Sequence, residues 1–162
     1  MVEQLRRFAE GTKVSVEASR GELEKLLKKH GATQTMVHTA ADAWTVMYEM
    51  RGRMLKQIVR VPEQEPFRLA SSKRPRGKKP SNAEVAVLVE REWRRRWRAA
   101  VLILKARLEA VAAGDAEFEA MFLGDIMLPS GETAAEVLKP KLVLAYESGE
   151  MPPLLLGTGR KE

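Results

Sequence analysis

The chain of 162 residues has no cysteine and only two histidines. Disulfides, thiolate metal sites and thiol nucleophiles are therefore excluded. His30 and His38 both lack the H-x-x-x-H or E-x-x-H neighbour that would make a metal ligand pair. No apolar run approaches the roughly 20 residues needed to span a bilayer, so no membrane partner is expected. The opening MVEQLRRFAEG lacks the continuous apolar core and small-residue cleavage site of a secretory signal, which points to a cytoplasmic protein. Also missing are G-x-x-x-x-G-K-S/T, G-x-G-x-x-G and G-x-S-x-G, the usual phosphate cradles and nucleophile elbow. No cofactor is expected, and the chain reads as non-enzymatic.

What the sequence does hold is positive charge, unevenly placed. The net charge of +6 averages over three dissimilar stretches. Residues 1–50 carry seven basic and seven acidic side chains, residues 51–108 carry 17 and 5, and residues 109–162 carry 4 and 10. All of the excess sits in the middle third, with an acidic stretch after it. Such a division suits either a basic face for a polyanion or complementary regions that satisfy each other within or between chains.

Punctuation along the chain predicts an α+β fold: an N-terminal helix, a short antiparallel three-stranded meander, a long central helix and a C-terminal helical subdomain. Ser19 and Glu22 form an S-x-x-E capping box before Leu23, Leu26, Leu27 and His30, and Gly31 supplies a stop. This spacing predicts a helix over about 20–30, with a short earlier strand possible at KVSVE. Beyond it the period falls to two in TQTMVHT, WTVMYEM and RMLKQIVRV. Trp44, Val46, Tyr48 and Met50 then share one face of their strand, as do Leu55, Gln57, Val59 and Val61 of the next.

Residues 1–62 thus make an N-terminal helix-and-meander portion, 63–80 a basic flexible connector, and 81–162 a helical portion that joins the first in one folded unit. The connector, rich in proline, includes SSKRPRGKKP and has no helical or strand period. After Pro80, Ser81 or Asn82 caps a helix that runs to about Ala113 before Gly114. At about 100° per residue, Val85, Val89, Trp93, Trp97, Ala100, Val101, Leu104, Leu108 and Val111 form its core stripe. Arg91, Arg94, Arg95, Arg98 and Lys105 cluster on a second stripe. Like charges at i, i+3 and i+4 destabilise a helix by a few tenths of a kcal/mol per pair, so this cluster calls for a function or an internal partner.

The last third is acidic and helical. Asp115 is positioned to cap a short helix through Phe118, Met121 and Phe122, and Thr133 with Glu136 makes a second capping box. Pro140 removes the amide that would bond the carbonyl of Glu136, which predicts a kink or break. PPLLL near the end should dock on the core or on a neighbouring chain.

The stretch WRAAVLILKARLEAVAAGDAEFEAMFLGDIMLPSGETAAEVLKPKLVLAYESGEMPPLLLG, at residues 97–157, resembles the C-terminal half of small proteins carried by bacteriophages and prophages. HGATQTM and MRGRMLKQIVRVP are similar to the N-terminal halves of the same group. The resemblance implies a phage-borne protein in a bacterial host cell, often found among DNA replication and recombination genes. It carries over no catalytic residue.

The leading expectation is an accessory protein that binds nucleic acid through phosphate contacts, single- or double-stranded and without sequence preference. Its candidate residues are Lys73, Arg74, Arg76, Lys78 and Lys79 of the connector and Arg91, Arg94, Arg95, Arg98 and Lys105 of the helix. Trp93 and Trp97 could stack bases, but their place on the apolar stripe favours a core role. The alternative is a modulator or inhibitor that binds a host or phage protein, or a self-assembling structural protein, with a homo-oligomer as one outcome. Weakest is a metal-dependent nuclease built on Asp115, Glu117, Glu119 and Asp125, whose carboxylates helix capping and solvation explain better.

Overall fold

The computed structural model describes residues 7–64, 66–67 and 80–150. Its first helix, α1 (Val16–Lys29), begins four residues before the expected start. Ser15 is the cap, its Oγ accepting the Ala18 N–H at 3.1 Å, while Ser19 is buried on the inner face beside Val16, Leu23, Leu26 and Leu27. A small side chain was needed there, so packing overrode the capping box. The proposed strand at KVSVE is instead the approach to α1, its cap and its first residues. His30 closes the helix, and Gly31, at φ 89°, supplies the left-handed residue that follows.

Three antiparallel strands follow as a meander, β1 (Gln34–Thr39), β2 (Ala43–Met50) and β3 (Arg53–Arg60), in the order β1-β2-β3. The β2–β3 turn needs two successive residues at positive φ, and Arg51 (51°) and Gly52 (68°) adopt them. Because side chains alternate, Val46, Tyr48 and Met50 of β2 and Leu55 and Val59 of β3 are buried on one face. The register sets Met36 beside Met47 and Glu49 beside Met54 on the other face, which also carries Ile58 and is open to solvent in part.

The long helix α2 (Asn82–Ala113) lies on the buried face with α1. Ser81 and Glu84 make a full capping box, and Gly114 at φ 82° ends the helix. Val85, Trp97, Val101, Leu104 and Leu108 are buried, as the apolar stripe predicts. Trp44, Trp93 and Trp97 meet edge to face with centroids 5.5–6.1 Å apart, which joins β2 to α2. The tryptophans are core residues.

The C-terminal helices are α3 (Phe118–Phe122) and α4 (Ala134–Ser148). Glu117 rather than Asp115 stands at the start of α3, and it makes no side-chain cap bond. Between the two helices the chain latches onto β3: Ile126 bridges Leu55, and the Met127 N–H donates to the Met54 carbonyl at 2.8 Å. Thr133 and Glu136 form the expected capping box. Against expectation, α4 runs on through Pro140. Both Pro140 and Glu136 are exposed, so water can serve the carbonyl that the proline leaves without a donor.

Trp97 is fully buried at the crossing of α2 and the sheet. Replacing it by alanine should lower stability by about 3–5 kcal/mol, read as a shifted urea midpoint with an unchanged slope.

Candidate nucleic-acid interface

Arg91, Arg95, Arg98 and Lys105 recur along α2 at intervals of four, three and seven residues, which sets them on one stripe. Along that stripe lie α1 and the segment before it. Arg98 pairs with Glu22 of α1, and Lys29 of α1 with Glu109 of α2 at 2.9 Å. Arg95 also donates to the Phe8 carbonyl at 3.0 Å. Through Arg95 and Arg98, part of the predicted cationic face is therefore a packed seam between elements.

Glu92 is the hub of this seam. Only 5% exposed, it receives Arg95 through two bonds of 2.8 and 2.9 Å, Arg96 at 3.2 Å and Arg7 at 3.1 Å. The Arg95 hydrogen bonds hold its carboxyl below the usual range against burial, which pushes the other way. The same pairing raises the Arg95 guanidinium. Arg96 reaches further, donating to the carbonyls of Arg60 at 2.9 Å and Val61 at 3.4 Å, and so ties the end of β3 to α2.

Of the five helix residues expected to contact phosphate, three are thus engaged: Arg94 with Glu90 at 3.7 Å, Arg95 with Glu92, and Arg98 with Glu22. Arg91 and Lys105 are exposed and have no ion-pair partner among the described residues. Fourteen positions apart, they stand about 21 Å from each other along the axis. Lys73, Arg74, Arg76, Lys78 and Lys79 lie outside the described residues. Sequence reasoning missed Arg7, Glu22 and Glu92. Glu92 had a local signal, being three and four residues before Arg95 and Arg96; Glu22 had none.

A cleft of about 850 Å³ opens at this end of α2, lined by Arg7, Arg60 and Arg96, by Asp42, Glu63 and Glu92, and by Phe67. Phe67 also lines a smaller neighbouring cleft with Arg91 and Arg95. At the acidic end, Asp125 pairs with Arg107 at 2.6 Å, and among the described residues no three His, Asp or Glu side chains converge to hold a metal ion. His30 sits 3.4 Å from Glu109, and His38 is exposed on β1. Compared with known proteins, the chain matches no family model, no curated protein and no solved structure.

Glu92→Gln should destabilise the fold by about 2 kcal/mol at neutral pH through lost charged hydrogen bonds. Because the folded-state pKa of Glu92 lies below its ordinary 4.5, its contribution is complete above that pH and is lost as pH falls through the lower folded value. Urea midpoints of the two proteins should therefore differ at pH 7 and converge in acid.

Proposed function

We propose that the protein is a non-enzymatic nucleic-acid-binding accessory whose grip lies in the basic connector, not along the arginine stripe of α2. Five cations stand within residues 73–79 with no carboxylate among them. The observation that carries the reading is where this segment is anchored. Phe67, the last described residue before it, shares a cleft with Arg91, and Pro80, the first after it, leads directly into the Ser81 cap of α2. Phe67 also lines the cleft in which Arg7, Arg60 and Arg96 face Asp42, Glu63 and Glu92 in equal number, so the positive charge the reading rests on is the segment's own. Arg91 adds one further cation beside it; Lys105 is too far along the helix to join that cluster.

Guanidinium and ammonium groups in such a segment meet phosphates without reading bases, so binding is electrostatic and indifferent to sequence. A phage setting, in which such a protein would serve replication or recombination, rests on the sequence resemblance alone. The competing reading, a protein-binding modulator, draws on α4, where Leu142, Val143 and Leu144 are exposed and Tyr146 is 90% exposed.

Titration of labelled single- and double-stranded DNA at rising salt tests the proposal. Five phosphate contacts give a slope of log affinity against log salt of about −4.5 on duplex. Alanine at Lys73, Arg74, Arg76, Lys78 and Lys79 together should abolish binding, whereas Arg98→Ala should lower the melting temperature and leave the slope unchanged. No affinity even at about 50 mM salt, or a connector variant that binds like the parent, overturns the reading and turns attention to α4.

A further inference from the structure

The sheet has two edges, and the fold treats them differently. At β3 the Ile126–Met127 segment covers the edge through the bridge to Leu55 and the bond to the Met54 carbonyl. At β1 no strand or bridge among the described residues covers the other edge. Five of its six residues are exposed and Val37 is half-buried. On the helix side the edge borders a cleft of about 400 Å³ between Arg20, Glu24 and Lys28 of α1 and Thr35 and Val37 of β1.

The direction of its free groups follows from the register. Ala40 donates to the Ala43 carbonyl at 2.9 Å, and Ala40 and Ala43 continue the β1–β2 register beyond Thr39↔Trp44. Hydrogen-bonded and non-hydrogen-bonded pairs alternate along an antiparallel ladder. Gln34, Met36 and His38 therefore bond toward β2, while the N–H and C=O of Thr35, Val37 and Thr39 point away from the sheet. A row of this kind is a template for another strand. Proteins that guard such an edge place Lys, Glu or Pro on it; β1, with the sequence QTMVHT, has none of them.

The occupant is written in the strand. Residues 35–39 read Thr-Met-Val-His-Thr, nearly the same in both directions about Val37. Antiparallel pairing on a two-fold axis at Val37 sets Thr35 opposite Thr39 of a second copy and Val37 opposite its own counterpart. Every outward-facing residue then meets an outward-facing residue, which is the condition for hydrogen-bonded pairs, and cross-strand Thr–Thr and Val–Val contacts are favourable. Met36, 62% exposed, falls beside the second copy's His38 in a non-hydrogen-bonded pair, where side chains approach most closely. The apolar strip of exposed Met36 and half-buried Met47 would then continue across the axis.

We infer that two copies of this chain join β1 to β1 in an isologous dimer with a continuous six-stranded antiparallel sheet. The inference is independent of the connector and of nucleic acid. It is tested by sedimentation velocity on the full chain after nuclease treatment. The expected mass is twice 18.2 kDa. T35E/T39E sets like charges opposite each other at both ends of the pairing and should halve the mass, with an unchanged circular dichroism spectrum. T35E/T39K sets opposite charges there and should restore the dimer. A wild-type protein that is monomeric at every concentration, a dimer that survives T35E/T39E, or a T35E/T39K protein that stays monomeric overturns the inference. The first of these would leave the edge to an extended segment of a different protein.

Discussion

The arrangement of the basic half rests on one nearly buried carboxylate. Taking Glu92 out of water costs several kcal/mol unless its charge is met, and three guanidiniums from two places in the chain meet it. Arg95 lies one turn along the same helix, Arg7 comes from the N-terminal segment, and Arg96 also holds the last carbonyl of β3 and that of Val61. A single acidic side chain thereby joins the chain's beginning, its sheet and its long helix. Three cations meet this one anion, with Glu10, Asp42 and Glu63 close by, and Arg7 is the most exposed of the three.

The same pairing shows how an arginine-rich helix face can be partly satisfied within the fold. A helical wheel shows which residues share a stripe, but not what lies against the stripe. Here α1 lies against it, and Glu22 meets Arg98 from 76 positions away in sequence. Like charges on neighbouring turns, which would destabilise an isolated helix, become tolerable when Arg94, Arg95 and Arg98 each have a carboxylate partner. Among the described residues, Arg91 and Lys105 are the members of the stripe without an ion pair.

Much of the architecture was legible because it depends on local chemistry. Period-two alternation in WTVMYEM and RMLKQIVRV marked β2 and β3, Ser81 with Glu84 marked the start of α2, and Gly114 its end. The errors share a cause, a tertiary demand stronger than a local signal. Ser19 had the better capping box, yet its small side chain was required inside, so Ser15 took the cap. Asp115 looked like a cap, but Gly114 had already turned the chain and α3 starts later. Pro140 forfeits one hydrogen bond on an exposed side of α4, too small a loss to stop a helix launched by a complete capping box. The cover on the β3 edge comes from a loop some seventy residues away, and nothing local announced it. Of the candidate interface, the charge and the local partner Glu92 were legible, but the distant partners Glu22 and Arg7 were not.

Two surfaces of the described fold remain without partners, and they differ in what they can specify. The exposed leucines and valine of α4 offer apolar area, which is non-directional and suits many occupants. The β1 edge offers donors and acceptors at fixed spacing, and a slip of one residue would set outward groups against inward ones. Only the register centred on Val37 brings Thr35 and Thr39 together while keeping charge out of the pairing. Directional bonding turns a near-palindrome of five residues into a statement about symmetry; a greasy helix makes no comparable statement. For that reason β1, the smaller of the two surfaces, is the more informative about how this molecule meets its neighbours.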